Sequence, residues 1–460
     1  MSDPQSMHVW SDRADLLAHS LVGYAVERVR LPKEPTWGAR PAPELKDALS
    51  GSITPQGIGG HQALRIFRDV LTPACRPMDD PLNLAYVPTA PTLASILFDL
   101  VVSASSIFGG QWEAGAGAIA AENEALEWLA DLAGFPAGAG GCFVSGGSAA
   151  NLNALVVARH HALDRLGLRE RPTRWRFAAT EQVHASARAA GRVMDVDVIG
   201  VPSDDHGRMT GVALDETLDR TGADGVFAVV ASAGTTNNGA VDRLDSIADV
   251  CRRRGLWLHV DGAYGAAGLC ASSARDRFVG IEAADSFSVD PHKWLFGPYD
   301  SAALVYRNPE LARVVHTQHG VYLDEVDRSE WNPSDYAFHL SRRARGLPLW
   351  FSLATYGTAA YEAAVERTLE TARGFAATIA ARSDFELLME PDLSVVLFAR
   401  PDWSDDDYRT WSRSRAAAGT ALIVPTTWRG EMCFRVCIVN PKTELDQLLA
   451  LLDDMAAWSG

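Results

Sequence analysis

The middle of the chain alternates between strand-like and helix-like hydrophobic patterns, and this alternation limits the folds open to it. Residues 226–231 are a short apolar run rich in β-branched side chains, which is typical of a buried strand. The next segment has one apolar face at helical spacing, formed by Leu244, Ile247, Ala248 and Cys251. Three arginines and then Gly255 mark its end, and a second strand is predicted at 256–260. This strand–helix–strand unit predicts a parallel sheet with a right-handed crossover.

The flanking regions have different patterns, so we predict three domains. Residues 1–85 are helical patches broken by prolines, and residues 86–350 carry the alternating pattern, beginning with a helix near Thr92. Residues 351–460 contain a long alanine-rich helix, two short strands and a closing helix from Glu444, which predicts a small α+β domain.

The charge and the cysteines exclude several classes of protein. The net charge of −16 provides no basic field for nucleic acid. The first residues lack the basic and apolar run of a signal peptide, and no apolar stretch is long enough to span a membrane, so we expect a cytoplasmic protein. The six cysteines are scattered and are predicted to be core thiols, with no metal site. A metal-binding pair at Cys433 and Cys437 is the alternative.

A lysine in apolar surroundings follows one of the predicted strands. Residues 286–289 form that strand, and Asp290 and His292 lead from its end to Lys293. Three aromatic or aliphatic residues come next. An amine that attacks an aldehyde works best when burial or a cationic neighbour lowers its pKa. These surroundings predict a buried, reactive Lys293 rather than a surface lysine.

Two further segments have features of a ligand site. Asp261 follows the strand predicted at 256–260, at the sheet edge where open α/β folds bind ligands, although an aspartate there also often caps a helix. Residues 143–151, F-V-S-G-G-S-A-A-N, form a glycine-rich turn before a predicted helix. Such a turn exposes backbone N–H groups to an anion at the positive end of the helix dipole, although it is also common as a simple cap.

Together these segments resemble the group II pyridoxal-dependent decarboxylases, the family of the aromatic-amino-acid, histidine and glutamate decarboxylases. Residues 286–307, S-F-S-V-D-P-H-K-W-L-F-G-P-Y-D-S-A-A-L-V-Y-R, match the family signature. Ser301 departs from the usual Cys or Ala, and Asp290 stands where some members have Asn. The resemblance extends over most of the chain. It implies an α/β fold of type I, like aspartate aminotransferase, with a large, mostly parallel seven-stranded sheet domain and a small α+β C-terminal domain.

The resemblance also implies the cofactor, pyridoxal 5′-phosphate (PLP), carried as a Schiff base on Lys293. Asp261, in L-H-V-D-G-A-Y, would hold the pyridine nitrogen protonated, which makes the ring an electron sink. Ala263 would lie against the ring, where a larger side chain could not fit.

Five more residues would bind the cofactor by the same resemblance. Gly147 and Ser148 would bind the 5′-phosphate. His184, in E-Q-V-H-A-S, would stack on the pyridine ring, and Thr236 would contact the ring substituents. His292, next to the lysine, completes the implied set.

A tyrosine is implied as the proton donor. In the family a tyrosine on a mobile loop protonates the carbon that has lost CO₂. Here the loop is predicted at 313–331, and Tyr322, in H-G-V-Y-L, falls at the matching place. Its presence favours the amine product, since relatives with a non-acid residue there tend toward oxidative aldehyde formation. An ordinary packed loop tyrosine is the alternative.

The segment L-A-Y-V-P-T resembles the family's H-A-Y-F-P-T, with Leu84 in place of histidine. Tyr86, Thr89 and Trp112 would contribute to the substrate pocket, in part from the partner subunit. The resemblance therefore implies a homodimer with active sites at the interface, to which residues 1–85 contribute. Leu84, Tyr86 and Trp112 predict an apolar pocket for an aromatic or branched aliphatic side chain rather than glutamate.

The predicted function is thus decarboxylation of an L-amino acid to its amine and CO₂, with Lys293, His184, Asp261 and Tyr322 as the catalytic set. A PLP-dependent aminotransferase or oxidative aldehyde synthase is the alternative. Arg435 would support the aminotransferase if it faced the substrate carboxylate, whereas a structural strand residue would not. A catalytically silent PLP-binding regulator is disfavoured because the catalytic set is retained.

Overall fold

A seven-stranded sheet forms the centre of the computed structural model, which describes residues 7–30, 38–321 and 329–458. Its strands are β1 (Gly140–Val144), β2 (Arg176–Thr180), β3 (Asp197–Val201), β4 (Val226–Ser232), β5 (Trp257–Asp261), β6 (Ser286–Val289) and β7 (Ala302–Tyr306). Their order is β1-β7-β6-β5-β4-β2-β3. Neighbours from β6 to β3 are parallel, and β7 is antiparallel to both β1 and β6. The predicted large, mostly parallel sheet is confirmed.

Helices cover both faces of this sheet, and others lie before and after it in the chain. They are α1 (Asp12–Arg30), α2 (Ala42–Ala48), α3 (Gly60–Ile66), α4 (Leu93–Ala104), α5 (Trp112–Leu132), α6 (Gly147–His160), α7 (Ala162–Arg165), α8 (Ala185–Met194), α9 (Gly211–Thr221), α10 (Leu244–Arg254), α11 (Pro309–His316), α12 (Leu347–Tyr356), α13 (Thr358–Ala381), α14 (Asp405–Ala418) and α15 (Leu445–Ala457). Helices α5, α9 and α10 contribute to one buried apolar cluster, and α6 and α8 contribute to another.

The strand–helix–strand unit predicted from the hydrophobic pattern is β4-α10-β5. The apolar face of α10 is buried, and the helix ends at Gly255, whose φ of 68° is left-handed. Glycine adopts this conformation without the steric cost of a Cβ, which explains why the helix stops there. β4 and β5 pair in parallel, as predicted.

A second, smaller sheet lies in the C-terminal part. Its antiparallel strands are β8 (Glu386–Leu387), β9 (Val395–Ala399), β10 (Pro425–Trp428) and β11 (Glu431–Cys437), in the order β10-β11-β9-β8. Side chains from α13, α14 and α15 share an apolar cluster with this sheet. Both strands and the closing helix predicted here are present, and Cys433 and Cys437 are free, buried thiols.

Leu84 belongs to this smaller cluster, which corrects its predicted place in the substrate pocket. Its side chain is 1% exposed among the small-domain residues. Its N–H donates to the Leu422 carbonyl, and its own carbonyl accepts from Cys437 N–H, both at 2.9 Å. An isolated hydrophobic residue gives no indication from sequence of which apolar cluster will bury it. The domain boundaries at 85/86 and 350/351 remain predictions, and the second falls inside α12.

Two other segments bear on the predictions. α11 extends to His316, so the loop predicted from 313 starts after that residue. The amphipathic spacing after Thr92 forms α4 as predicted, but several of its apolar residues remain about half exposed, namely Leu93, Leu97, Leu100 and Val101. None of the helices in the described part of the chain combines the length and the hydrophobicity that a membrane span requires.

Candidate active site

Several predicted site residues meet where β5 and β6 end. Asp261 is the last residue of β5, and Lys293 follows β6 after a short turn. The two strands are parallel, with Asp261 opposite Ser288, so their carboxyl ends lie at one edge of the sheet. The N-terminus of α6 at Gly147 reaches the same edge. Gly147 N–H donates to Asp290 Oδ2 at 3.2 Å.

The lysine end of the site consists of Lys293, Asp290, His292 and Gly147. Lys293 Nζ lies 3.0 Å from Asp290 Oδ2, and His292 Nε2 lies 3.5 Å from the same oxygen. His292 Nδ1 accepts the Ser301 N–H at 3.0 Å, so a neutral His292 carries its proton on Nε2, facing Asp290. Asp290 is 2% exposed, and its Oδ1 has no hydrogen-bond partner among the described residues.

The electrostatics of Lys293 differ from the sequence expectation. Burial by itself lowers the pKa of this amine, but the carboxylates of Asp290 and Asp261 outweigh burial, and the pKa lies above its ordinary value. The sequence predicted a lowered pKa because the residues that follow Lys293 in the chain are apolar. The pKa is raised instead because the fold places two carboxylates beside the amine.

At Gly147 the backbone packs tightly against both ends of the site. A Cβ there would lie 2.8 Å from the Ala263 Cβ and 3.3 Å from both Asp290 carboxylate oxygens. A larger residue would therefore displace the helix start. Gly146 caps α6 without a side-chain hydrogen bond, and Ser148 follows as the second helical residue. A helix N-terminus of this kind suits a phosphate.

The ring end of the site consists of Asp261, Ala263, Asn151 and His184. Asp261 is 7% exposed. Its Oδ2 accepts an Asn151 Nδ2 hydrogen at 2.7 Å, and its Oδ1 accepts the Ala263 N–H at 3.2 Å. Hydrogen bonds from Asn151 and Ala263 thus fix the orientation of the Asp261 side chain. The alternative of a simple helix cap does not account for the bond to Asn151, which lies more than one hundred residues earlier.

His184 is connected to Asp261 through two residues to which the sequence analysis assigned no role. His184 is the N-cap of α8, and its Nδ1 lies 2.8 Å from Ser186 Oγ. Ser186 Oγ in turn lies 2.9 Å from Asn151 Nδ2. Asn151 and Ser186 both fall inside the segments that carry the family resemblance, so the resemblance itself was the available signal for them.

A cavity of about 370 Å³ opens beside the ring end. Its lining includes four residues named from the sequence, Tyr86, His184, Thr236 and Arg435. The Tyr86 side chain is 63% exposed, and its φ of 58° is left-handed, an unusual conformation for a bulky residue that often marks a functional position.

The other predicted pocket residues lie elsewhere. The buried Thr89 hydroxyl donates to the Gly297 carbonyl at 2.9 Å, so it supports the chain just after Lys293. Trp112 begins α5, and its N–H donates to Asn332 Oδ1 at 2.8 Å. Neither residue lines the cavity in this chain. Tyr322 lies outside the described residues.

Arg435 lines the cavity, and two of its three guanidinium nitrogens are engaged by backbone carbonyls. Its Nε donates to the Thr236 carbonyl at 2.6 Å and its Nη1 donates to the Tyr86 carbonyl. The remaining nitrogen, Nη2, is itself buried and has no hydrogen-bond partner among the described residues. The side chain therefore ties together the two backbone segments that form the cavity wall.

The residues present fit PLP. They supply an amine at a sheet edge, a glycine-lined helix N-terminus for the phosphate, and a held carboxylate for a ring nitrogen. With the type I fold around them, these features define the class of PLP-dependent enzymes.

Comparison with known proteins narrows the class to a family. Residues 60–400 match the pyridoxal-dependent decarboxylase conserved domain. The chain is 31% identical over 423 residues to an aromatic-L-amino-acid decarboxylase of Bacillus atrophaeus, covering 89% of this chain and 87% of the relative. It is 30% identical to the enzyme of the same name from Sus scrofa, covering 83% and 82%. Among solved structures, Oryza sativa TDC with PLP and tryptamine superposes with a TM-score of 0.89 at 23% identity, covering 99% and 98%.

The chain belongs to the pyridoxal-dependent decarboxylase family. It is a PLP-dependent carboxy-lyase that acts on an amino acid.

Proposed function

We propose that the protein decarboxylates an aromatic L-amino acid to the corresponding amine. The observation that carries this proposal is the cavity beside His184, whose wall includes the exposed Tyr86 ring together with Val424 and Pro425. A flat apolar side chain could stack on the tyrosine and displace water from these residues. The names of the curated relatives support the same substrate class.

The bonding of Arg435 argues against two competing functions. An acidic substrate side chain needs a cationic partner in the pocket, and an aminotransferase typically holds the substrate carboxylate with an arginine. Arg435 donates to two backbone carbonyls, and its third nitrogen is buried. Because the backbone engages two of the three nitrogens, this arrangement favours a structural role for Arg435, and with it decarboxylation of an amino acid whose side chain is uncharged.

The cofactor roles are assigned to residues at both ends of the site. Lys293 would carry PLP covalently, with the N-terminus of α6 at Gly147 and Ser148 binding the phosphate beside His292. Asp261 would keep a proton on the pyridine nitrogen, and Ala263 would leave room for the ring. His184 and Thr236, both in the cavity lining, would contact the ring from that side. Bound PLP supplies the electron sink for the loss of CO₂.

Tyr322 is proposed as the acid that delivers a proton to the substrate carbon. Phenylalanine at this position would keep a similar size and remove only the phenolic proton. Tyr322→Phe should still release CO₂ but form less amine, with aldehyde, ammonia and peroxide appearing in air. The product ratio under air and under nitrogen measures this. An unchanged amine yield per CO₂ under air would show that another group donates this proton.

A homodimer with active sites at the interface is proposed as the working form. The half-exposed apolar side chains of α4 form a patch of the kind that soluble proteins bury in contacts. Leu97→Glu combined with Leu100→Glu should reduce the dimer fraction in analytical ultracentrifugation. Val212→Glu, at a 68% exposed valine on α9, is the matched control and should leave the mass unchanged. A monomeric wild type that turns over substrate would overturn the proposal.

A substrate screen tests the central proposal. Purified holoprotein is supplied with L-tryptophan, L-tyrosine, L-phenylalanine, L-leucine and L-glutamate, and CO₂ and amine are measured. Aromatic substrates should give the highest kcat/KM. Release of CO₂ from glutamate alone would contradict the proposed substrate class. Exchange of amino groups with keto acids without CO₂ release would contradict decarboxylation itself.

A further inference from the structure

The orientation of the Asn151 carboxamide follows from its neighbours. The Asp261 carboxylate can only accept hydrogen bonds, so the group 2.7 Å from its Oδ2 must be the Asn151 amide nitrogen. The Asn151 carbonyl oxygen then faces His259 Nε2 at 2.9 Å. Asn151 is fully buried, as is His259, so water does not compete for these contacts. His259 must therefore carry a proton on Nε2.

The other side of His259 is consistent with this assignment. Burial lowers the pKa of His259 to about 4, so the ring is neutral near pH 7 and has a single proton. Its Nδ1 must then accept, and it lies 2.9 Å from Ser286 Oγ. Ser286 Oγ is free to donate because it accepts the Trp257 indole N–H at 3.0 Å, a group that can only donate. The hydrogen bonds therefore form one series, and each has a single possible donor. Trp257 donates to Ser286, Ser286 to His259, His259 to Asn151, and Asn151 to Asp261.

A second branch leads from Asn151 to His184. The other Asn151 amide hydrogen points to Ser186 Oγ at 2.9 Å, so the Ser186 hydroxyl hydrogen is available to His184 Nδ1 at 2.8 Å. The backbone N–H of Ser186 also donates to this nitrogen at 3.2 Å. Because His184 Nδ1 accepts from both groups, the ring proton of a neutral His184 lies on Nε2.

We propose that Asn151 is a positioning residue that orients Asp261 toward the pyridine nitrogen and, through Ser186, links that carboxylate to the proton position of His184. The inference rests on the site roles proposed above. The orientation of Asp261 and the proton position of His184 would then depend on each other, since the Asn151 carboxamide contacts both branches. His259 prevents rotation of this carboxamide, because its Nε2 donates to the Asn151 carbonyl oxygen.

Nitrogen NMR of the cofactor-free protein, labelled with ¹⁵N-histidine, tests the directions of the hydrogen bonds at His184 and His259 in the wild-type chain. Spectra of His184→Gln and His259→Gln identify the two rings. We expect a protonated Nε2 and an unprotonated Nδ1 on both. A proton on Nδ1 of either ring would overturn the inference. Because no cofactor or turnover is involved, this result is independent of the proposed reaction.

Variants then separate the two branches. Asn151→Leu keeps a similar volume and removes both amide groups. It should shift the His259 and His184 signals, move the pyridine nitrogen signal of bound ¹⁵N-PLP toward the unprotonated form, and raise the Kd for PLP at least tenfold. Ser186→Ala should shift only the His184 Nδ1 signal.

Asn153→Leu is the matched control, a buried asparagine on the same helix whose partners are the Ala149 carbonyl and the Phe338 N–H. It should leave all three signals in place. Wild-type signals in Asn151→Leu would refute the proposal. If Asn151→Leu does not fold, the wild-type proton positions and the Ser186→Ala shift decide, and failure of either one refutes it.

Discussion

The two ends of the active site differ in how fully the chain satisfies its own polar groups. At the ring end both oxygens of Asp261 accept N–H groups, and the hydrogen bonds continue through Asn151 to His259. At the lysine end Asp290 is almost fully buried, but one of its oxygens has no partner among the described residues, and the other is shared by three groups. Buried polar groups without partners are rare and need an explanation. The protein alone thus satisfies both oxygens of Asp261, whereas at the lysine end we expect the bound cofactor to complete the surroundings of Asp290.

The largest expected effect tests the lysine end. Lys293→Ala removes the only amine proposed to bind the cofactor covalently, so the borohydride-reducible linkage to PLP should disappear while the fold is retained. Mass spectrometry after reduction measures the linkage, and circular dichroism reports the fold. Lys442→Ala, at a lysine outside the site, is the control and should retain the linkage. A reducible adduct in Lys293→Ala would place the attachment elsewhere.

The next effect tests the ring end. Asp261→Asn keeps the shape of the side chain and removes its charge, so a protonated pyridine nitrogen loses its partner. We expect kcat to fall by about three powers of ten, or ~4 kcal/mol at ~1.4 kcal/mol per tenfold. Asp285→Asn, just before β6 and paired with Arg165, removes a comparable charge at the opposite edge of the sheet. It should have a much smaller effect. Wild-type turnover in Asp261→Asn would contradict the proposed role of the Asp261 carboxylate at the pyridine nitrogen.

A smaller effect is expected from Asp290 at the lysine end. The carboxylates of Asp290 and Asp261 favour the charged form of Lys293 and raise its pKa, but only the uncharged amine attacks an aldehyde. Asp290→Asn should therefore lower the pKa of Lys293 and move the pH dependence of PLP attachment to lower pH. The rate of linkage formation by cofactor-free protein across pH measures this.

The control for that experiment is Asp300→Asn, at a half-exposed carboxylate paired with Arg345. Its profile should follow the wild type. An unchanged profile in Asp290→Asn would show that Asp290 does not govern the amine, and a shift to higher pH would contradict the expected sign.

The smallest effect concerns acid stability and the ring end. Burial lowers the pKa of His259, His316 and His339 to about 4 each. As the pH falls from about 6.5 toward 4, the unfolded chain binds protons that the folded protein does not, so the free energy of unfolding decreases. His259→Gln removes one of these groups and should reduce the slope of that decrease, as measured by urea unfolding between pH 7.5 and 5. His206→Gln, at an exposed histidine, should leave the slope unchanged. An unchanged slope in His259→Gln would show that its ring is not buried in a neutral form.

The elements that bring the site together could be predicted because they follow from local patterns. The end of α10 at Gly255 and the strands around it follow from hydrophobic spacing, and parallel strands place Asp261 and Lys293 at one edge. The assignment of PLP required the family resemblance, since a lysine after a strand does not by itself specify a cofactor.

The remaining features depend on contacts between distant segments. Asn151 and His259 are separated by 108 positions and meet only once α6 packs on the sheet. The direction of the Lys293 pKa shift depends on where the Asp290 side chain points, which the sequence does not specify. The burial of Leu84 in the smaller cluster required the pairing of its backbone with strands near the C-terminus.

That pairing has a consequence for how substrate choice can evolve. Only Ala85 separates Leu84 in the small-domain core from Tyr86 on the cavity wall, and Arg435 of β11 donates to the Tyr86 carbonyl. A change in the packing of the C-terminal domain would thus reach the cavity wall, whereas Asp261 lies on the other sheet and Lys293 follows it. If the cavity receives the substrate side chain as proposed, drift in the C-terminal core would alter which amino acid is accepted while the pairing of β5 with β6 stays unchanged.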